Sequence, residues 1–174
     1  MRREPNTVMR QKILYLHGLE SPQGGEKVDF LATKSFVHAP ELDYTRSDIF
    51  PFLISTVEEF KPDVIIGSSM GGYSAFVLGA LYKIPVVAFN PALHSRRIEP
   101  NFPKFVKEHV PDNFHLVLGE KDTVIDGSKT LDYLKDHVAG KYMQHQVHRV
   151  KTMGHRVPLD VFCDMYNKTI EQNG

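Results

Sequence analysis

A three-layer α/β/α sandwich around a mainly parallel sheet of about six strands is the architecture that this sequence of 174 residues predicts. Two observations carry the expectation. Short β-rich apolar runs alternate with longer segments of helical character along the chain, the pattern of repeated βα units. Runs such as Val64-Ile65-Ile66 are apolar at every position, as a strand must be when helices cover both faces of its sheet.

The elements follow in order. A first strand is expected at Ile13–Leu16, apolar throughout and ended by His17-Gly18, and a first helix at Gly25–Thr33. The second strand, Ser35–His38, precedes a helix over Ser47–Phe60. Val64–Ile66 leads through a glycine-rich turn into the helix Gly71–Lys83, whose Tyr73, Phe76, Val77, Ala80 and Leu81 recur at helical spacing. Val86–Phe89 and Phe114–Leu118 are the fourth and fifth strands, and Gly127–Val138 is the fourth helix. Gln144–Val150 makes the last strand, and Pro158 opens a final helix to Gln172. No internal repeat, low-complexity tract or Gly/Ser linker proposes a boundary, so residues 1–174 read as one domain, with 1–11 as a flexible N-terminal segment.

Composition excludes several classes. The 41% hydrophobic and 24% charged balance is that of an ordinary globular chain. Lys plus Arg and Asp plus Glu both number 21, so no global field attracts nucleic acid or an anionic membrane. The single cysteine, Cys163, cannot form an internal disulfide, which suits a reducing compartment. The longest apolar stretch, Ala75 to Tyr82, falls far short of the roughly 18 residues of a membrane span. A soluble, cytoplasmic protein is expected.

In a parallel sheet, sites form where loops leave the carboxyl ends of the strands. The residues after four of the predicted strands carry chemistry: His17-Gly18-Leu19, Gly67-Ser68-Ser69-Met70-Gly71-Gly72, Gly119-Glu120-Lys121-Asp122 and Met153-Gly154-His155. Gly67 to Gly71 reads G-x-S-x-G between a strand and a helix, the setting of a nucleophile elbow, in which a serine occupies a sharp turn and flanking glycines let strand and helix approach. Ser69, not its neighbour Ser68, has glycines at both minus two and plus two. At the head of a helix, free backbone N–H groups favour a developing oxyanion; Met70 N–H is the first candidate donor and Leu19 N–H, after His17-Gly18, the second. Gly18 allows the backbone to pass close to a substrate.

Serine at its free pKa is a weak nucleophile, so a base and an acid that orients it are required. Among nine histidines, His155 lies past the last strand on the functional edge and follows the serine in the order Ser, acid, His; His17 is the competitor on the same edge. Asp122 is the acid expected between them, with Glu120 and Asp126 as competing carboxylates. No P-loop or G-x-G-x-x-G follows a strand, and no histidine pair with a carboxylate has metal-ligand spacing, so neither a metal nor another cofactor is expected.

Taken in order, Tyr15-Leu16-His17-Gly18-Leu19, Gly67 to Tyr73, Asn90-Pro91-Ala92, Gly119 to Asp122 and Gly154-His155 resemble the α/β-hydrolase superfamily, more narrowly the small bacterial esterases of the YqiA-like, uncharacterised-protein-family (UPF0227) type. The resemblance runs from Ile13 to the final helix. It implies a minimal α/β-hydrolase fold with Ser69 as nucleophile, Asp122 as acid, His155 as base and the Leu19 and Met70 amides as oxyanion hole. It also implies hydrolysis of a small-molecule ester or acyl thioester, such as an acyl-CoA, through an acyl-enzyme and without metal or organic cofactor.

The connection from Asn90 to Asn113 is too short for a cap domain, so an open site is expected, bounded by Phe102, Phe105 and Val106 as acyl-chain contacts. Arg96, Arg97, Lys104 and Lys107 in the same segment form either a local anion site for phosphates or simply a solvated face. His17 and Gly18 complete the substrate-binding candidates. A catalytically silent hydrolase-fold protein that binds a ligand or protein partner is the alternative reading; the joint presence of Ser, Asp, His and the oxyanion glycine on one edge disfavours it, because folding requires no such set.

Overall fold

The structure, a computed structural model, describes residues 10–104, 110–138 and 146–171. Six parallel strands form a sheet of order β2-β1-β3-β4-β5-β6: β1 (Lys12–Leu16), β2 (Phe36–His38), β3 (Val64–Ser68), β4 (Val86–Phe89), β5 (Phe114–Gly119) and β6 (Val147–Val150). Five helices accompany them: α1 (Glu26–Lys34), α2 (Ile49–Phe60), α3 (Met70–Tyr82), α4 (Gly127–Val138) and α5 (Leu159–Thr169). The predicted sandwich is present. Boundaries move by a few residues, and the expected starts and ends at Gln144 and Gln172 lie outside the described residues.

Alternation along the strands sorts side chains into two cores. Leu14, Leu16, Ile65, Val86, Ala88, Leu116 and Leu118 point to the face covered by α2, α3 and α4, where Leu53, Phe76 and Leu134 meet them. Ile13, Tyr15, Ile66, Val87, Phe89 and Val117 point to the other face, against Leu31 of α1 and Phe162 and Tyr166 of α5. α3 differs from the other helices. Every residue from Met70 to Gly79 is buried, because this helix packs on both β3 and β4 at the centre of the sheet.

Of the N-terminal segment expected to be flexible, residues 1–9 lie outside the described residues, whereas Arg10 and Gln11 are held. The Arg10 guanidinium donates to the carbonyls of Ala32 and Thr33, and Gln11 O accepts from Phe36 N–H. Among the described residues no helix is long and apolar enough to cross a membrane. Because all six strands run in one direction, the loops after β1, β3, β4, β5 and β6 open on one edge.

Candidate active site

Ser69 sits between β3 and α3 at φ 54° and ψ −115°, a backbone conformation costly for a residue with a side chain, by about 1–3 kcal/mol. Three backbone hydrogen bonds hold it there: Ser69 N–H donates to Phe89 O at 3.0 Å, and Ser69 O accepts from Tyr73 N–H at 3.1 Å and Ala92 N–H at 3.0 Å. The flanking glycines are required by contact. A Cβ on Gly67 would run into the backbone of Gly71, and one on Gly71 into the carbonyls of Leu16 and His17. The sharp turn lifts the hydroxyl above the edge of the sheet.

The loops after β5 and β6 supply its partners. The Asp122 side chain is fully buried; its Oδ1 accepts from the N–H groups of Val124 and Ile125 at 2.8 and 2.9 Å, leaving Oδ2 to face His155 Nδ1 at 2.8 Å. A carboxylate only accepts, so Nδ1 carries the imidazole proton and Nε2 presents a lone pair. Ser69 Oγ–H donates to that nitrogen at 3.1 Å. His155 is partly exposed, within reach of a substrate in the cleft. Of the competing carboxylates, Asp126 caps α4 by accepting from Ser128 and Lys129 N–H, and Glu120 is exposed.

Asn90, singled out in the sequence only as part of a motif, is what ties these loops together. Buried and itself at φ 42°, it donates from Nδ2 to the carbonyls of Gly154 (2.9 Å) and His155 (3.2 Å), while its Oδ1 accepts from Gly119 N–H (2.8 Å). Lys121 N–H donates to Met153 O, and a Cβ on Gly119 would collide with the carbonyls of Met153 and Gly154, so this close passage admits only glycine. The positive φ and the two-sided hydrogen bonding of Asn90 depend on tertiary neighbours, which is why spacing alone did not assign it a task.

Met70 and Leu19 border the same cleft, of about 810 Å³, and no hydrogen bond from either backbone N–H is present among the described residues. Gly18 passes so close to the serine that a Cβ there would lie 3.4 Å from Ser69 Cβ. His17, in contrast, is spent. Its Nδ1–H donates to Gly18 O (2.7 Å), its Nε2 accepts from Leu42 N–H (3.0 Å), and its carbonyl accepts from Tyr44 Oη (2.6 Å). Burial drives the Tyr44 phenol pKa upward, so that hydroxyl remains a donor. His17 therefore borders the cleft as a brace for the β1 loop, without a nitrogen to offer a substrate.

The segment after β4 also departs from expectation. The Arg96 guanidinium is engaged within the protein: it donates to the carbonyls of Ala92 and Leu93 and to the Glu99 carboxylate, and lies 4.1 Å from the Tyr73 ring centroid. Arg97 pairs with Glu20 across the cleft mouth at 2.8 Å. Phe102 is buried, stacked on Tyr73 and packed on Phe50, and does not line the cleft. Lys104 is exposed; Phe105, Val106 and Lys107 lie outside the described residues. Arg96 and Phe102 both pack on the Tyr73 ring of α3, and the guanidinium is satisfied by carbonyls of its own segment.

The uncharacterised protein family UPF0227 has a model that matches residues 12–99, half of the chain. The chain belongs to this family. Its solved neighbours include an alpha-beta serine hydrolase homologue from Coxiella burnetii (12% identity, 98% of this chain and 88% of that one, TM-score 0.65) and Est1E from Butyrivibrio proteoclasticus (10%, 96% and 89%, 0.66). A third is acyl-protein thioesterase 2 from Zea mays (14%, 99% and 97%, 0.55). At these identities the likeness establishes the fold, and this UPF0227 member has that of the α/β-hydrolase superfamily.

Proposed function

We propose that this protein is a serine hydrolase that cleaves a carboxylic ester or acyl thioester through an acyl-enzyme. The observation that carries the reading is the unbroken relay from Asp122 Oδ2 through both nitrogens of His155 to Ser69 Oγ, with distances of 2.8 and 3.1 Å. In this reading Ser69 Oγ attacks the substrate carbonyl carbon as its proton passes to His155 Nε2. The Met70 and Leu19 amides receive the negative charge that develops on the carbonyl oxygen. Collapse of the tetrahedral species breaks the bond to the leaving oxygen or sulfur, which takes the proton from His155. Water, deprotonated by the same nitrogen, then attacks the acyl-enzyme, releasing the acid and restoring Ser69. Asp122 holds the imidazole tautomer and favours the imidazolium without itself taking the proton.

Labelling with a neutral fluorophosphonate tests this. The folded wild-type protein should be labelled at Ser69 and should turn over p-nitrophenyl esters, whereas Ser69→Ala should lose label and on the order of a thousandfold or more in kcat. Absence of both labelling and turnover in the folded wild type would favour a silent, ligand-binding protein.

A further inference from the structure

The cleft around Ser69 is bordered by four cations and two carboxylates, and the cations are used differently on its two flanks. On the α3 flank Arg96 is held by Glu99 and two carbonyls, and Arg97 is partly neutralised by an exposed ion pair with Glu20. On the other flank, at the loops leading into α1 and α5, Lys27 and Arg156 border the cleft without a hydrogen bond or ion pair among the described residues. Lys27 is half-buried, and its pKa is lowered first by that burial and further by the like charge of Arg156; the exposed Glu26 beside it opposes the shift. Two cations on the wall of one cleft, neither paired among the described residues, would both gain from a ligand anion placed between them. Arg156 directly follows His155, and both Lys27 and Arg156 line the cleft that holds Ser69 and His155. A cleft of about 810 Å³ is large enough to hold both the scissile group and such an anion.

Resting on the hydrolase reading above, we propose that Lys27 and Arg156 form an anion subsite that selects esters or thioesters bearing a carboxylate or phosphate. Arg156 offers a planar fork and Lys27 a point charge on an apolar stem, a combination that accepts either anion. The arginines after β4 are the weaker candidates for this subsite, since Arg96 is held by Glu99 and two carbonyls and Arg97 has Glu20 beside it.

The test compares kcat/KM for three esters matched in size: a neutral one, one with a carboxylate on the acyl side, and one with a phosphate on the leaving alcohol. Wild-type protein should prefer at least one anionic ester to the neutral one by about tenfold or more, and the preference should shrink with added salt. Lys27→Met with Arg156→Gln should abolish it, a loss of roughly 10- to 100-fold in the anionic-to-neutral ratio, while Lys27→Arg with Arg156→Lys should retain it. The anionic ester that responds shows on which side of the scissile bond the charge is carried. An identical ratio in wild type and the double variant, with fluorophosphonate labelling intact in both, would overturn the subsite and leave the hydrolase reading standing. No labelling and no turnover of any ester would overturn both.

Discussion

The loops after β1 and β6 each place a histidine on the carboxyl edge of the sheet, and the two rings carry their proton on the same nitrogen. In both, Nδ1–H donates to an oxygen: Gly18 O for His17, Asp122 Oδ2 for His155. They part at Nε2. That of His17 is closed by the backbone N–H of Leu42, in a buried setting; that of His155 meets a hydroxyl on a strained turn, in an open cleft. What separates a brace from a candidate base is therefore the group at the far nitrogen, and no property of the imidazole.

Substitutions can sharpen that contrast, beginning with the largest effect. His155→Ala should lower kcat by about 10⁴-fold or more on a p-nitrophenyl ester while leaving the melting temperature close to wild type. A variant that keeps most of its activity would show that His155 is no base. Asn90→Ala removes the clamp on the Gly154 and His155 carbonyls, and a base displaced by a fraction of an ångström should cost roughly 10- to 100-fold in kcat with little change in KM. Steady-state kinetics on a neutral ester separates the two parameters.

His17→Ala should instead be read in stability. It leaves the Leu42 N–H and Gly18 O without their partner, at a cost of about 1–3 kcal/mol, measurable by denaturant unfolding. If its melting temperature were unchanged and only kcat fell, the assignment of the two loops would be reversed. The smallest effect concerns a third histidine. His148, against His115, has its pKa lowered from 6.5 to about 4, by burial first and by the neighbouring Lys168 and His115 charges next. Above pH 6.5 both states hold it neutral and it contributes no pH dependence; as pH falls towards 4 only the unfolded chain binds the proton, so stability declines across that window. His148→Phe should flatten that part of the unfolding curve between pH 6.5 and 4.

Much of this was legible before any coordinates. Apolar runs with no polar interruption fixed a parallel sheet covered on both faces, and glycines around Ser69 marked a turn whose sterics tolerate nothing larger. Asp122 and His155 were readable because they follow strands, and strand ends define the edge. Of the residues expected to contact substrate, His17 and Arg96 line the cleft with their polar atoms engaged by the protein and Phe102 lies off it, since residue type and edge position are shared by groups that bind and groups that pack. Arg96 finds the carbonyls of Ala92 and Leu93, which are close in sequence but brought to it only by an irregular loop with no periodicity to read, and Phe102 finds Tyr73, 29 residues before it.

The sequence by itself determined which elements form and which chemistry-bearing residues reach one edge, because periodicity and glycine placement are local properties that the backbone must obey. Only the tertiary structure decided which of those residues remain free. A donor or acceptor is available to a ligand when no other part of the chain satisfies it, and that depends on how the chain folds around it: Leu42, distant in sequence, closes His17, the segment after β4 curls so that its own Ala92, Leu93 and Glu99 close Arg96, and none among the described residues closes Lys27 and Arg156.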